Sequence, residues 1–428
     1  MRLEHFWLQN FLITEASFTR DERFELKSHK IFRLFSLDHH LWSFFKDGDR
    51  QFAFLSEEDH VRSLVELEVL FQQEGPKSLR LFRSESGGVR IHPLTMRQFA
   101  LEITEFRTLL IAWYRHEGRR LPWRETADPY QILVSELMLQ QTQVTTVLGY
   151  YHRWLAKFPT LATLAAADEQ EVLRAWQGLG YYNRARNLHR CARHLVESGA
   201  GKLPENVTDL ARLPGIGRYT AGAILSFAFN KPAPILDANV TRVLARLINL
   251  QASVDSVAGS RILWEIAENL VNDGDPRLVN SAIMELGALL CLPRNPRCVL
   301  CPVRTFCRAV DPDSLPRKRL RPATQKIQEN YWWIRRAQTV LLRQAAGRRW
   351  NGLWTLPPAV EIPTNRLPLF QMRHPITKYL VCLNVFSGPA PEPLPESYRW
   401  QSIVALRDLP MPSPHRRAVE AMLERERK

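Results

Sequence analysis

Cysteine is rare in this chain, with six among 428 residues, and acidic residues carry the minority charge, with 44 Asp and Glu against 58 Lys and Arg. No apolar run approaches the roughly 18 residues of a membrane-spanning helix, and no apolar signal segment opens the sequence. We therefore expect neither a membrane partner nor a secreted, disulfide-linked fold, and we expect a cytoplasmic protein. The net charge of +14 favours a polyanionic partner over a generally basic protein without one.

Four of the cysteines lie within residues 291–307, separated by six, two and five residues: Cys291, Cys298, Cys301 and Cys307. Thiols grouped this tightly bind metal or pair as disulfides, and the two remaining cysteines are isolated. Four thiolates suit a tetrahedral zinc ion, but the spacing matches neither paired C-x2-C zinc sites nor the common ferredoxin patterns. Spacing alone leaves zinc and an iron–sulfur cluster as open alternatives.

Hydrophobic patterning divides the chain into three folded parts and a linker. Residues 1–95 contain short strand-like runs and a helical pattern over 56–73, which predict a small α/β extension without a chemical motif. Residues 98–308 repeat apolar positions at three- and four-residue spacing, which predicts an all-α domain. Residues 309–330 are rich in proline and basic residues and read as a basic linker. Residues 331–428 combine strand patterns with a final helix, which predicts a second small α/β domain.

A glycine-rich turn containing Gly215 and Gly217 lies between two helical patterns at residues 213–222. The glycines leave backbone N–H groups unprotected at the start of the next helix, where the helix dipole also attracts phosphate. This is the arrangement of a helix–hairpin–helix clamp, which contacts the DNA backbone without reading sequence. The alternative is a helix connection that binds nothing.

Two acidic residues, Glu136 and Asp237, occupy positions where a carboxyl group could take part in catalysis. Glu136 lies on or beside the apolar stripe of its helix, with three glutamines one turn further on. A carboxylate there is costly unless it is paired or functional, and the alternative is an edge glutamate that reaches solvent. Asp237 is placed to cap the helix that follows it, a role that requires no catalysis and does not exclude it.

Taken in order, the motifs resemble those of the MutY-type adenine DNA glycosylases of the endonuclease III-like superfamily, at residues 121–124, 135–143, 178–182, 213–222, 235–240 and 291–307. The resemblance is close over residues 100–310 and looser over 331–425. It implies a mainly α helix–hairpin–helix glycosylase domain, followed by a nudix-like α/β domain that recognises the lesion. It also implies a [4Fe–4S] cluster held by the four clustered cysteines.

The activity implied by the resemblance is removal of adenine mispaired with 8-oxoguanine or guanine in double-stranded DNA, by a monomeric protein. Glu136 would protonate the adenine ring, and Asp237 would stabilise the positive charge that grows on the sugar. Asn239 and Tyr219 would orient these two groups. The positions implied to contact adenine or DNA are Trp123, Arg124, Leu139, Gln141, Leu179, Tyr181, Gly215, Gly217 and Thr377.

Two residues and one short segment make the expected activity more specific. Tyr219 stands where bifunctional relatives carry a lysine that forms a Schiff base with the sugar, so a monofunctional enzyme is expected. Ser281 replaces an acidic or amide residue near the adenine pocket. Residues 376–378 depart from the Phe-Ser-His signature of 8-oxoguanine recognition, although Thr377 keeps a hydroxyl. We therefore expect weaker discrimination of the lesion.

Two rival functions stay open. One is a thymine or uracil mismatch glycosylase of the same fold, which can also carry a tyrosine at position 219. The other is an iron–sulfur protein that binds damaged DNA without catalysis. Because the cysteine loop lies far in sequence from Glu136 and Asp237, we expect it to hold the fold and present arginines to phosphate, with no part in bond cleavage.

Overall fold

The computed structural model describes residues 96–272, 274–319, 323–347, 349–360, 366–376 and 378–427, together with six strands between residues 30 and 90. Contacts divide the chain into two units, Met1–Glu105 and Phe106–Lys428. Within the described ranges, no helix has the length and apolar character required to cross a membrane.

The first unit contains a four-stranded antiparallel sheet in which each strand pairs with the next: β1 (Lys30–Leu37), β2 (His40–Asp47), β3 (Arg50–Glu57) and β4 (His60–Leu67). A short hairpin follows, formed by β5 (Phe82–Arg83) and β6 (Val89–Arg90). The helix predicted over residues 56–73 is wrong, because residues 56–57 end β3 and residues 60–67 form β4. Glu57 pairs with His60, so β4 runs antiparallel to β3 and continues the sheet. The described part of the expected α/β extension is therefore all strand up to residue 90.

The helical domain is confirmed, with eleven α-helices among the described residues from 96 to 289. They are α1 (Met96–Glu117), α2 (Pro129–Leu139), α3 (Val144–Lys157), α4 (Leu161–Ala166), α5 (Glu169–Ala175), α6 (Asn183–Glu197), α7 (Val207–Arg212), α8 (Arg218–Phe227), α9 (Ala238–Leu247), α10 (Val257–Val271) and α11 (Pro276–Leu289). Many begin at a side chain that accepts from the first-turn N–H groups, as sequence capping rules predict. The capping residues are Asp128, Thr160, Asp168, Asn206, Asp237, Ser256 and Asp275.

Apolar residues recur at helical spacing over residues 130–155, and the structure has two helices there. α2 ends at Leu139 and α3 begins at Val144, and Gln141 between them takes a left-handed φ of 56°. A right-handed helix cannot pass through such a residue, so the chain turns within the polar residues between the two helices. The break leaves the last carbonyls of α2 free to accept from another part of the chain.

The cysteine loop follows α11 and contains three short 3₁₀ turns, Cys298–Leu300, Arg304–Phe306 and Pro312–Ser314. Phe306 packs edge to face against Phe106 of α1, with ring centroids 5.7 Å apart. The loop is thereby anchored to the first helix of the domain as well as to the last.

The described residues of the C-terminal domain form two small sheets and one long helix. One sheet has the strand order β11 (Phe370–Ile376), β12 (Tyr379–Ser387), β7 (Gln325–Trp333), with β7 parallel to β12. The other contains β8 (Arg335–Arg336), β9 (Thr339–Gln344), β10 (Trp354–Thr355) and β13 (Tyr398–Ser402). The final helix, α12 (Ser413–Arg425), contributes Val419 and Met422 to a core shared with both sheets.

The predicted linker over residues 309–330 is too long. Its first part packs on the helical domain, where Leu315 is buried and the Arg317 carbonyl accepts from the Val254 N–H. Its last part is strand, since β7 begins at Gln325. Polar composition suggested a linker, but pairing with β12 satisfies the backbone of these polar residues.

Candidate active site

Glu136 is buried in the wall of the helical domain. It lies on α2, whose first turn is capped by Asp128 and which buries every residue from Ile132 to Met138. Only 2% of Glu136 is exposed. A carboxyl group in such surroundings requires polar partners. The alternative of an edge glutamate that reaches solvent is therefore wrong.

Two side chains from other elements meet the Glu136 carboxyl group. The Tyr219 hydroxyl, on the first turn of α8, donates to Oε2 over 2.9 Å. Arg124 Nη1 donates to Oε1 over 3.4 Å. The Arg124 guanidinium is itself held 3.8 Å from the ring centroid of Phe227, and its Nη2 donates to the Met284 sulfur. Residues 12 and 83 positions from Glu136 thus converge on its carboxyl group.

Burial raises the pKa of Glu136 above its ordinary value, and the nearby Asp237 raises it further. The Arg124 cation and the Tyr219 hydrogen bond act in the opposite direction, because both stabilise the ionised carboxylate. Burial has the largest effect, so the net direction is upward. A carboxyl group whose pKa is raised in this way can hold a proton and donate it.

Asp237 caps α9 from the extended segment that precedes it. Its Oδ1 accepts from the Val240 N–H over 2.7 Å, and its Oδ2 accepts from Asn239 Nδ2 over 3.1 Å. Burial raises the pKa of Asp237, while the Val240 and Asn239 donors oppose that rise. The capping function predicted from sequence is confirmed. It also places a hydrogen-bonded carboxylate within electrostatic range of Glu136.

Two glycines allow the elements of the site to approach each other. A Cβ atom at Gly222 in α8 would lie 2.4 Å from the Pro234 carbonyl oxygen, so only glycine lets the segment before Asp237 pack on that helix. A Cβ atom at Gly287 in α11 would lie 2.6 Å from the Asn239 Cβ atom. Close packing at these two points sets the positions of Asp237 and Asn239.

Arg242 joins the cysteine loop to Asp237. Its Nε donates to the Cys291 carbonyl over 2.7 Å, and its Nη2 donates to the Gly287 carbonyl and to Asn239 Oδ1, over 2.7 and 2.9 Å. Asn239 in turn donates to Asp237. The loop is distant from Asp237 in sequence, but α9 carries Arg242 one turn beyond the Asp237 cap and against the loop, so hydrogen bonds connect the two.

A second buried arginine of α9, Arg246, holds the same loop. It donates to four carbonyls, those of Leu292, Pro293, Pro312 and Leu315, and its Nη1 lies 3.3 Å from the Cys291 sulfur. Backbone carbonyls of an irregular loop have no helix or strand partners. Arg246 supplies those partners at four points and so defines the path of the chain around the cysteines.

The four clustered cysteines are unpaired and lie near one another. Burial raises the pKa of Cys301 to about 11, and the other three thiols raise it as well. A cationic iron group would reverse this effect by binding the thiolate forms. Four thiols of this kind fit a four-iron cluster, in which each iron takes one thiolate. In the part of the chain that the structure describes, no three His, Cys, Asp or Glu side chains converge on the position of a single metal ion, whereas a four-iron cluster requires only one thiolate at each iron.

The residues expected to enter the duplex divide into two groups. Gln141 and Tyr181 are exposed, Tyr181 by 50%, and both have left-handed backbones, with φ of 56° and 46°. Leu179 is buried, and Leu139, the last residue of α2, is partly exposed. The two exposed loop tips are therefore Gln141 and Tyr181, whereas Leu179 is buried.

The remaining expected positions are placed as follows. Gly215 has a φ of 80°, and a Cβ atom there would lie 2.5 Å from the Asn187 Cβ atom, so the turn before α8 requires glycine. Gly217 forms the exposed N-terminus of α8. Trp123 is 1% exposed and packs edge to face against Tyr151. Thr377 lies outside the described residues.

Sequence reasoning did not predict the burial of Arg184, Arg242 and Arg246, which are among the buried arginines of the described residues. Each donates mainly to backbone carbonyls from distant parts of the chain. The only available signal was the four-residue spacing of Arg242 and Arg246, which places both on one face of α9. Ser281, expected near the pocket, is buried on α11.

Residues 134–268 match the model of the HhH-GPD superfamily base excision DNA repair proteins. The chain is 47% identical to the adenine DNA glycosylase of Homo sapiens over 217 residues, which is 49% of this chain and 40% of that protein. It is 36% identical to the adenine DNA glycosylase of Buchnera aphidicola subsp. Schizaphis graminum (strain Sg) over 235 residues, 55% of this chain and 68% of that protein. A thermostable thymine-DNA glycosylase of known structure is 30% identical and aligns with 49% of this chain and 97% of its own, with a TM-score of 0.46. The chain thus spans less than half of the human relative's length.

Proposed function

Because this chain belongs to the adenine DNA glycosylase family, we propose that it hydrolyses the N-glycosidic bond of adenine mispaired with 8-oxoguanine or guanine in duplex DNA. One observation carries the proposal. The buried Glu136 carboxyl group, with its raised pKa, lies within electrostatic range of the Asp237 carboxylate at a helix N-terminus. Cleavage of a base from a sugar requires an acid that protonates the base and a fixed negative charge that stabilises the positive sugar.

Adenine must first leave the base stack, which requires a few kcal/mol and is easier at a mispair. Gln141 and Tyr181 are the exposed tips that would enter the duplex around the extruded base. The N-terminus of α8 at Gly217 would hold the DNA backbone through unpaired N–H groups. The base would then reach Arg124 and Glu136 at the inner end of the site.

Bond cleavage moves the C1′–N9 electron pair onto the departing base and leaves positive charge on the sugar. Glu136 would donate its proton to an adenine ring nitrogen, so that the base leaves as a neutral species. Its burial supplies the raised pKa that this donation requires. The resulting carboxylate would then accept a proton from the attacking water, which completes the hydrolysis.

Asp237 would remain ionised and stabilise the oxocarbenium-like sugar. The Val240 N–H and the Asn239 amide both donate to its oxygens and favour the charged form. Glu136 and Asp237 therefore have different roles for a physical reason. Both carboxyl groups accept two hydrogen bonds and burial raises the pKa of both, but of the two only Asp237 lies at a helix N-terminus, where the helix dipole favours the charged form.

Tyr219 makes the proposed enzyme monofunctional. Strand cleavage by a Schiff base requires an amine, and the position that meets Glu136 carries a phenol. Trapping with borohydride should give no efficient covalent adduct with DNA.

The proposed cofactor is a [4Fe–4S] cluster held by the four clustered cysteines. Arg242 and Arg246 would hold the surrounding loop, as their bonds to its carbonyls indicate. When bound, such a cluster would fix the loop covalently through four thiolates. The C-terminal domain, with Thr377 between β11 and β12, is proposed to meet the 8-oxoguanine partner.

The decisive experiment measures base release from duplexes with a single A·8-oxoguanine, A·G, T·G or A·T pair. The expected result is adenine release from the first two, abolished by Glu136→Gln and with no thymine release. Glu136→Gln removes the ionisable group while keeping the size of the side chain. Unchanged release by that variant would overturn the mechanism. Thymine release from T·G would favour the rival mismatch glycosylase, and tight binding without any release would favour a damage-binding protein.

A further inference from the structure

Arg184 is a buried guanidinium on the first turn of α6, with 7% of its surface exposed. All of its hydrogen bonds go to neutral oxygens. Nη1 donates to carbonyls at the end of α2 and Nη2 donates to the glycine turn and to a threonine hydroxyl. The acceptors are Leu137, Met138, Gln140, Thr142, Leu179 and Gly180.

These acceptors lie in two segments that are remote in sequence. One is the turn at residues 140–142 that separates α2 from α3, and the other is the turn at 178–181 that precedes α6. Arg184 Nη2 alone bridges them, because it reaches Leu179 O over 3.0 Å, Gly180 O over 3.1 Å and Thr142 Oγ1 over 3.2 Å. One guanidinium therefore sets the relative position of two loops.

Each segment displays one exposed residue in a left-handed conformation, Gln141 in the first and Tyr181 in the second. Such a backbone is unfavourable for a residue with a side chain and persists only where the surroundings hold it. The carbonyl of Gln140, immediately before Gln141, and the carbonyl of Gly180, immediately before Tyr181, both accept from Arg184. The Arg184 side chain therefore holds the backbone immediately before both left-handed residues.

A planar guanidinium is suited to this role. It presents donors in a fixed fork, whereas a lysine ammonium is a point charge that cannot span both turns. The Arg184 guanidinium also lies 5.3 Å from the Trp176 ring centroid and 5.6 Å from that of Tyr181. Its contacts therefore extend to the Tyr181 side chain itself.

We propose that Arg184 is a positioning residue that holds Gln141 and Tyr181 in one fixed arrangement, so that both tips enter the duplex together. This inference rests on the proposed function, because it assumes that the tips open the base stack at the mispair. Arg184 touches neither the base nor the reacting sugar in this scheme. Arg184 affects adenine release only by holding Gln141 and Tyr181 in position.

The test is a mutant cycle on single-turnover adenine release. Arg184→Met should lower the rate about 10- to 100-fold, the range expected when reacting groups are displaced by about an ångström. In a Gln141→Ala/Tyr181→Ala background, the same change should lower the remaining rate less than about threefold, since the tips it positions are gone. Arg193→Met is the matched control. Arg193 lies on the exposed face of the same helix and pairs with Glu197, and its loss should leave the rate unchanged.

A second readout follows the base stack directly. The fluorescence of 2-aminopurine placed beside the mispair rises when the stack opens, and Arg184→Met should reduce that rise while Tyr181 is present. Thermal unfolding of each variant is measured in parallel. If Arg184→Met does not fold, Arg184→Lys enters the same cycle, with the same non-additivity expected.

Equal losses from Arg184→Met in the presence and absence of the two tips would overturn the inference, as would full activity of Arg184→Met. If the wild-type protein releases no adenine, the proposed function fails instead. The 2-aminopurine signal on mispaired DNA then decides whether Arg184 positions the tips, because it requires no bond cleavage.

Discussion

Tyr219 donates its phenolic hydrogen to Oε2 of Glu136 across 2.9 Å. The bond connects the first turn of α8 to the middle of α2 and lowers the pKa of a carboxyl group that burial would otherwise raise further. Burial and the adjacent Glu136 also raise the pKa of the Tyr219 hydroxyl well above its ordinary value, so this hydroxyl stays protonated and acts as a donor. The pair therefore tunes the acidity of the proposed general acid.

Replacing Tyr219 by Phe should shift the pH dependence of adenine release. A hydrogen bond to a carboxylate stabilises its charged form, so removing the bond raises the pKa of Glu136. Because Glu136 acts in its protonated form, activity is lost as pH rises through that pKa. The alkaline limb of the single-turnover profile should therefore move to higher pH. A shift toward lower pH would contradict the assignment.

Replacing Asp237 by Asn should separate capping from catalysis. Asparagine caps helices about as well as aspartate, so stability should change by less than about 1 kcal/mol. The loss of charge should lower single-turnover release by roughly 10²- to 10³-fold, as for other fixed groups that stabilise a charged transition state. Asp275→Asn is the matched control, since Asp275 caps α11 by accepting from the Leu278 N–H. Equal rate losses in the two variants would show that Asp237 acts only as a cap.

Replacing Arg242 by Met should disturb both the cysteine loop and the Asp237 site. The change leaves the Cys291 and Gly287 carbonyls without a charged donor, which should destabilise the fold by about 2–4 kcal/mol. It also removes the donor to Asn239 that orients the amide facing Asp237. We expect a lower unfolding temperature together with slower adenine release at saturating enzyme. If the variant regains the full wild-type rate of adenine release after being kept at 4 °C or in glycerol before the assay, instability alone is responsible for the loss.

The stability of the C-terminal domain should fall in mild acid because of His415. Burial lowers the pKa of His415 to about 3, with further lowering by Arg349 and His374. Its Nδ1 accepts from the Leu356 N–H, so the folded domain needs the neutral ring. The unfolded chain takes up a proton below pH 6.5, so stability is lost as pH falls from 6.5 toward about 3. The expected slope is about 1.4 kcal/mol per pH unit over that window.

The measurement is the unfolding midpoint between pH 7 and pH 5. His415→Asn keeps an acceptor for the Leu356 N–H and cannot be protonated, so its midpoint should vary less with pH than that of the wild type. His116→Asn is the control, because His116 is exposed on α1. A steeper acid dependence in His415→Asn would contradict the assignment. The part of the slope that remains is expected from His374, whose pKa burial also lowers.

Local chemistry in the sequence determined much of this protein. Apolar spacing predicted an all-α domain over residues 98–308, and Asp237 was correctly predicted to cap the helix that follows it. The same short-range reasoning predicted the final helix, observed as α12. These features depend on residues within one or two turns of each other, so they are visible in a linear sequence.

Predictions from local sequence were wrong where the backbone of a segment pairs with residues that are distant in the chain. The pattern over residues 56–73 is helical in spacing, but pairing with β3 makes β4 a strand. Apolar residues recur on both sides of the polar residues 140–143, but the left-handed Gln141 and the donors of Arg184 end the first helix there. Polar residues 325–330 resembled a linker until β12 provided their backbone partners.

The candidate site shows the same division between sequence and tertiary structure. Glu136 and Asp237 are recognisable as unusual carboxylates in the sequence, but Tyr219 lies 83 positions from Glu136, and only the packing of α2 against α8 brings them together. The buried arginines were invisible for a further reason. Every residue carries a backbone carbonyl, so no sequence pattern marks the acceptors of Arg184, Arg242 and Arg246. Their roles are decided only when the folded chain brings specific carbonyls within reach of a guanidinium that burial has removed from water.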